Sequence, residues 1–153
     1  MTTHLETARN ESVLLGSLKR MAMISQDIGS GVDWYGRVKT HRSASRKMLR
    51  DSLGIHEILD IIGIRAVTEH VHDCYRLIRR IHSEFPARAS EFDDYVAAPK
   101  PNGYRSLHTT VFSPCGLSIE VQARTRAMHV HAETGAASHL RYKRLQAMEA
   151  SRG

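Results

Sequence analysis

The amino-acid sequence predicts an α/β domain built on a mixed β-sheet flanked by helices. Three observations carry this. Helix-like and strand-like segments follow one another in the order αβαβαββα. Ile61 to Val67 is short, continuously apolar and β-branched, the composition of a strand buried on both faces. Two further strand runs meet at Pro114-Cys115-Gly116, a turn sequence. The length, 153 residues, suits one domain with one core, so residues 1–153 are read as a single unit.

Taken in order, Leu5 to Ile24 sets Leu5, Ala8, Leu15, Leu18 and Ala22 at helical spacing, which predicts an amphipathic opening helix. Gly29-Ser30-Gly31 ends it, so residues 1–31 form an N-terminal helix and linker. Val32 to Lys39 has strand composition, and Ser43 opens a helix that runs to about Leu53, with Gly54 as its stop signal. After the buried strand, His70 to Phe85 places Val71, Cys74, Leu77, Ile78 and Ile81 on one helical stripe. Glu91 to Gly103 is a polar loop, and long polar loops often carry function. Tyr104 to Ser113 and Leu117 to Arg124 are strands, followed by a helix from Thr125 to Lys143 that Gly135 can interrupt.

The hairpin admits a stronger statement. Pro114 suits the first central position of a type I turn and Gly116 the left-handed position after it. Closing the turn with Ser113 opposite Leu117 puts Leu107, Val111, Ile119 and Val121 on one face. His108, Thr110, Glu120 and Gln122 then share the other, with Glu120 opposite Thr110 and His108 opposite Gln122. A slip of one residue would mix the faces, so the apolar pattern favours this register.

A net charge of +6 points to a polyanionic partner without choosing among nucleic acid, membrane and nucleotide phosphates. No apolar run is long enough to span a bilayer and no secretory signal pattern opens the chain, so no membrane partner and a cytoplasmic location are expected. Cys74 and Cys115 lack metal-ligand spacing. The pairs His72-Asp73 and His129-x-His131 have no further His/Asp cluster at hydrolase-like spacing and read as helix histidines.

Three groups of residues suit phosphate chemistry. Gly36-Arg37-Val38-Lys39 is followed by Ser43 and Lys47, one helical turn apart at a helix N-terminus that offers N–H donors to an anion. Asp60 heads the buried strand and Arg65 lies within it. Asp60 and Glu120 form a natural carboxylate pair for Mg²⁺ if their strands are neighbours. Strict alternation puts Asp60 and Arg65 on opposite faces, leaving twist or a bulge at Gly63 as ways to one site. In Asp94 to Tyr104, Tyr104 offers a stacking face while Lys100 and Asn102 can reach phosphate or a base edge.

Together these residues resemble the synthetase domain of the RelA/SpoT family. The run DYVAAPKPNGYRSLHTTV from Asp94 carries the resemblance, accompanied in order by GRVK with Ser43 and Lys47, DIIGIR from Asp60, EVQART from Glu120 and MHVHAETGAASH from Met128. It covers about Gly36 to Lys143, with Arg105, Ser45 and Leu140 as departures that remove no proposed catalytic group. The resemblance implies a nucleotidyltransferase-like fold and transfer of the β,γ-pyrophosphate of ATP to the 3′-hydroxyl of GTP or GDP, with release of AMP. It implies Arg37 and Arg65 at adenine, and Lys39, Ser43 and Lys47 at the ATP phosphates. Asp60 and Glu120 would hold Mg²⁺, with Glu120 also the base, and Tyr104 would stack on guanine. Lys100, Asn102, His108 and Gln122 would position the acceptor, with Arg124 in support. The acidic run Glu91-Phe92-Asp93-Asp94 resembles the GTP-preferring version of the family motif, so Glu91, Asp93 and Asp94 are the expected specificity residues.

The expected partners are therefore ATP and GTP or GDP, with nucleic acid not required for the chemistry and a homo-oligomer left open. The alternatives are a non-catalytic nucleotide or RNA-binding remnant, or the same chemistry on an adenosine nucleotide or a tRNA 3′ end. The motifs fill most of the chain, as in a small stand-alone synthetase or an excised domain.

Overall fold

In chain order the elements are α1 (His4–Ile24), β1 (Asp33–Val38), β2 (Ile62–Thr68), α2 (Val71–Glu84), a 3-10 turn (Ala89–Glu91), β3 (Asp93–Asp94), β4 (Leu107–Phe112), β5 (Ser118–Thr125) and α3 (Arg126–Thr134). They come from a computed structural model that describes residues 4–29, 31–39 and 62–135. The helix expected from Ser43, the strand head at Asp60 and everything past Gly135 lie outside the described residues.

The strands form one sheet in the order β1-β2-β5-β4-β3. β2 pairs with β5 in parallel, and the other neighbours are antiparallel. The sheet is therefore mixed, as expected. β2 is regular through Gly63, so the bulge considered there is absent and Arg65 shares a face with Gly63.

The hairpin has the expected register, with Thr110 opposite Glu120 and His108 opposite Gln122. Gly116 N–H donates to Ser113 O at 2.9 Å, and Gly116 takes φ 83°, the left-handed conformation the turn needs. Alternation then divides the sheet. Ile62, Ile64, Leu107, Val111, Ile119 and Val121 are buried on one face, where α1 and α2 pack into a single core. The opposite face carries the polar residues.

α2 buries Cys74, Leu77, Ile78 and Ile81 at the expected spacing, while Val71 at its first position is exposed. α1 corrects the sequence reading. Leu5 and Leu15 are 83% and 66% exposed, and the buried positions are Asn10, Leu14, Ser17 and Met21. The helix turns this way because Gly36 has no side chain. A Cβ there would lie 2.8 Å from Cδ1 of both Leu14 and Leu18, so glycine lets these leucines close onto β1. Arg80 then ties the helices, donating to Ile24 O at 2.8 Å and pairing with Asp27.

The expected polar loop from Glu91 also holds more structure than its composition suggests. Asp93 and Asp94 add a short edge strand to β4, with Asp93 opposite His108 and Asp94 opposite Leu107.

Candidate active site

The polar face is organised in rows across the sheet. Tyr35, Arg65, Gln122, His108 and Asp93 form one row, and Arg37, Gly63, Glu120 and Thr110 form the next. Residues from five strands thus meet because each occupies the same alternation parity. Between them lies an open cleft of ≈ 270 Å³ lined by Tyr35, Arg37, Lys39, Arg65, Glu120 and Gln122. Gly63 forms its floor. A Cβ there would sit 3.5 Å from Lys39 Cε, in ordinary van der Waals contact, so the lysine packs directly over this position of β2.

Lys39 crosses β2 to reach Glu120. Its Nζ lies 2.5 Å from Glu120 Oε2. Gln122 Nε2 donates to Glu120 Oε1 at 2.9 Å, and His108 Nδ1 is 3.8 Å from the same oxygen. Burial pushes the Glu120 carboxyl upward, but the charge and hydrogen bond of Lys39, helped by Gln122 and His108, overcome it and hold the group at about 2. The carboxylate is therefore ionised at neutral pH. The His108 pKa is also lowered, chiefly by burial and further by Lys100 and Arg124, against the opposing pull of Glu120 and Asp93. At neutral pH it is an uncharged imidazole.

The polar chain continues to the loop. Tyr104 OH and His108 Nε2 share a hydrogen bond of 2.8 Å, and Tyr104 OH donates to Gln122 Oε1 at 3.5 Å. Tyr95 meets His108 edge-on at 5.3 Å between ring centroids. Lys100 Nζ lies 4.7 Å from the centre of the Tyr95 ring and 5.5 Å from that of Tyr104. Asn102 turns inward, its Oδ1 accepting from Tyr104 N–H at 3.0 Å, while Gly103 closes the turn at φ 84°.

At the far end of the cleft, Arg124 is 1% exposed and its guanidinium lies 5.9 Å from the Tyr104 ring centre. Glu133 of α3 approaches Arg65 at 3.4 Å and Arg124 at 4.0 Å. His129 of α3 stacks on Tyr35 at 5.6 Å. Tyr35, Tyr95 and Glu133 were not singled out from sequence. Tyr35 shares parity with Arg37 and Lys39, a signal that could have found it. Tyr95 and Glu133 reach the site only through tertiary packing.

Arg37, Lys39, Arg65, Glu120 and Gln122 thus line one cleft, with Tyr104 and His108 linked to it by hydrogen bonds and Lys100 above Tyr104. The three acidic residues after Ser90 divide. Asp94 faces away, accepting from Tyr75 OH at 2.7 Å and from the N–H groups of Val96 and Ala97 at 3.0 and 2.8 Å. Glu91 accepts from Arg88 at 2.6 Å. Asp93 remains on the site face, beside His108. Ser43, Lys47 and Asp60 lie outside the described residues. Among the described residues there is no cluster of three or more metal-ligating side chains. Glu120 alone supplies one ionised carboxylate, and that fits a hard cation whose other ligands are a second acid and phosphate oxygens.

The family described as "Region found in RelA / SpoT proteins" matches residues 36–147. The chain is 44% identical over 115 residues to the GTP pyrophosphokinase of Escherichia coli (strain K12), across 75% of this chain and 16% of that protein. It is 48% identical over 108 residues to the probable chloroplastic GTP diphosphokinase RSH3 of Oryza sativa subsp. japonica, across 71% and 15%. The chain therefore spans about one sixth of the length of these curated relatives. Among solved structures, small alarmone synthetase 2 from Bacillus subtilis aligns with a TM-score of 0.71 at 30% identity, over 88% of this chain and 77% of that one. Small alarmone synthetase 1 from the same organism, bound to its product pppGpp, aligns with a TM-score of 0.69 at 28% identity, over 90% and 77%. By the extent of the family match and the shared mixed sheet, the chain belongs to the RelA/SpoT family.

Proposed function

We propose that the chain transfers the β,γ-pyrophosphate of ATP to the 3′-hydroxyl of GTP or GDP, with release of AMP. The observation that carries this reading is the Lys39–Glu120–Gln122–Tyr104–His108 chain on the polar face of the sheet, in a member of a family whose relatives are named GTP pyrophosphokinases. In this reaction the 3′-oxygen bonds to the β-phosphorus, the bond to the bridging oxygen on the AMP side breaks, and the hydroxyl proton passes to Glu120. Transfer of this kind needs in-line positioning and charge neutralisation more than covalent chemistry by the protein.

Each residue has a role suited to its place. Arg37 and Arg65 flank the donor side, where planar guanidiniums can stack on adenine. Lys39 holds the donor phosphates, and as it turns to them it releases Glu120 from its charge, making the carboxylate a better base. Tyr104 offers its ring to guanine, while Lys100, Asn102, neutral His108 and Gln122 position the acceptor. Ser43 and Lys47 complete the phosphate grip by resemblance. Asp60 and Glu120 would hold Mg²⁺, which would neutralise phosphate charge. Of the acidic triplet, Asp93 is the one on the site face, and the resemblance of the triplet to the GTP-preferring version of the motif is the ground for expecting GTP over GDP.

The test is direct. Purified protein is incubated with ATP, Mg²⁺ and GTP or GDP, and the nucleotides are resolved by anion exchange. The expected products are AMP and a guanosine nucleotide carrying a 3′-pyrophosphate, more from GTP. Glu120→Gln should lower the rate by about 10²–10⁴-fold, the range for losing a general base. Absence of both products, or transfer only to adenosine nucleotides or tRNA, would defeat the proposal.

A further inference from the structure

Glu133 occupies an unfavourable place for an acid. It lies in the last turn of α3, next to the C-terminal residue Thr134, where the negative end of the helix dipole opposes a carboxylate. It is 55% exposed in its side chain, so no core packing requires it there. What it meets is two cations. One oxygen, Oε1, lies 3.4 Å from Arg65 and 4.0 Å from Arg124.

Those arginines sit on neighbouring strands, and only Arg65 lines the cleft. Arg65 lies on β2 in the row of Tyr35. Arg124 lies on β5 beneath the Tyr104 ring, and it is almost fully buried. The Nε of each has no hydrogen-bond partner among the described residues. Two guanidiniums so placed repel one another, and the cost falls on Arg124, the buried one. Burial and the nearby Arg65 charge both act against the charged form of Arg124, while Glu133 and Tyr104 act for it. A carboxylate oxygen 3.4 Å from one and 4.0 Å from the other offsets part of that repulsion and biases where both guanidiniums lie.

We propose that Glu133 is a positioning residue that holds Arg65 and Arg124 in one geometry and so couples the donor side of the cleft to the acceptor side. The inference rests on reading the cleft as the pyrophosphate-transfer site. Without the carboxylate, Arg65 moves away, and the Arg124 guanidinium, though still buried, is no longer held in one orientation under Tyr104. The donor then loses a stacking partner, and the ring of Tyr104 loses a fixed support. Both substrates should bind less well while the reacting groups, Glu120 and Lys39, stay in place.

The experiment compares wild type with Glu133→Gln and Glu133→Asp. Glu133→Gln keeps the shape and removes the charge, and should raise KM for ATP and for GTP by about three- to fivefold, the upper range for a part-exposed ion pair, with kcat changed by less than about twofold. Glu133→Asp keeps the charge and should recover part of both. Thermal stability is the control, because losing a part-exposed ion pair and relieving an acid at a helix C-terminus oppose one another, so Tm should change little. A merely structural role would lower Tm and spare KM. Calorimetric titration with a non-hydrolysable ATP analogue and with GTP keeps the test independent of turnover. Wild type that binds both nucleotides but makes no product defeats the proposed function and leaves this inference to the affinities. Unchanged affinities for both ligands in Glu133→Gln, or loss of only one, overturn the inference.

Discussion

Glu120 and Lys39 show how one contact serves both stability and chemistry. A carboxylate at this depth would be pushed upward by burial, and it stays near 2 through Lys39 above all. Because the folded value lies below the ordinary 4.5, the pair contributes stability above that pH, and the contribution is lost as pH falls from about 4.5 toward about 2. Replacing Lys39 by Met removes the partner and leaves the acid stranded, which should cost on the order of 2–3 kcal/mol at pH 7. Urea unfolding at a series of pH values checks this. The gap between variant and wild type should narrow as the solution is acidified, and a gap independent of pH would exclude the pair as its source. These two residues were legible in the sequence as functional, but their contact was not, since it spans β2, which lies between β1 and β5 in the sheet. Arg124 was legible only as a supporting residue, because its burial and its place under Tyr104 arise from packing of β5 against the loop and α3.

At the scale of elements, the turn from Asp94 to Tyr104 is held by a carboxylate that sequence assigned to specificity. Asp94 satisfies the Tyr75 hydroxyl and two backbone N–H groups. Asp94→Ala should therefore cost about 2–3 kcal/mol, the range for orphaning several partly buried partners. It should also raise the acceptor KM, because Lys100 and Tyr104 lie on the same turn. Stability within about 0.5 kcal/mol of wild type in chemical denaturation, the range of an ordinary surface substitution, would show that the turn is held elsewhere. The β4–β5 hairpin is the contrasting case. Its alternation and its Pro114 to Gly116 turn specify register locally, so the sequence sufficed. α1 was misaligned because the position that admits its leucines is a glycine in another element. β3 was unreadable because two acidic residues at a sheet edge carry no strand pattern.

Over the whole molecule, one sheet face is apolar and covered by α1 and α2, while the other gathers Arg37, Lys39, Arg65 and Arg124, with Glu120 beside Lys39 and Glu133 beside the last two. With a net charge of +6, such a face attracts polyphosphates at a distance. Raising ionic strength from about 0.01 M to about 0.1 M shortens the screening length from about 30 Å to about 10 Å. KM for both nucleotides should therefore rise severalfold while kcat changes little. Steady-state kinetics at fixed free Mg²⁺ checks this, and a KM insensitive to salt would mean that recognition is short-range only. The fold class was legible because each layer has its own periodicity. The site was legible as a set of residue types, and its arrangement was not, since it joins β1 and β2 to β3, β4 and β5 across one parallel contact between β2 and β5. That contact has an evolutionary consequence. The groups assigned to the donor sit mainly on one antiparallel unit and those assigned to the acceptor on the other, with Glu120 beside the join. Descendants of such a sheet can drift in residues 93–110 and exchange one acceptor for another while their inherited grip on the donor stays intact.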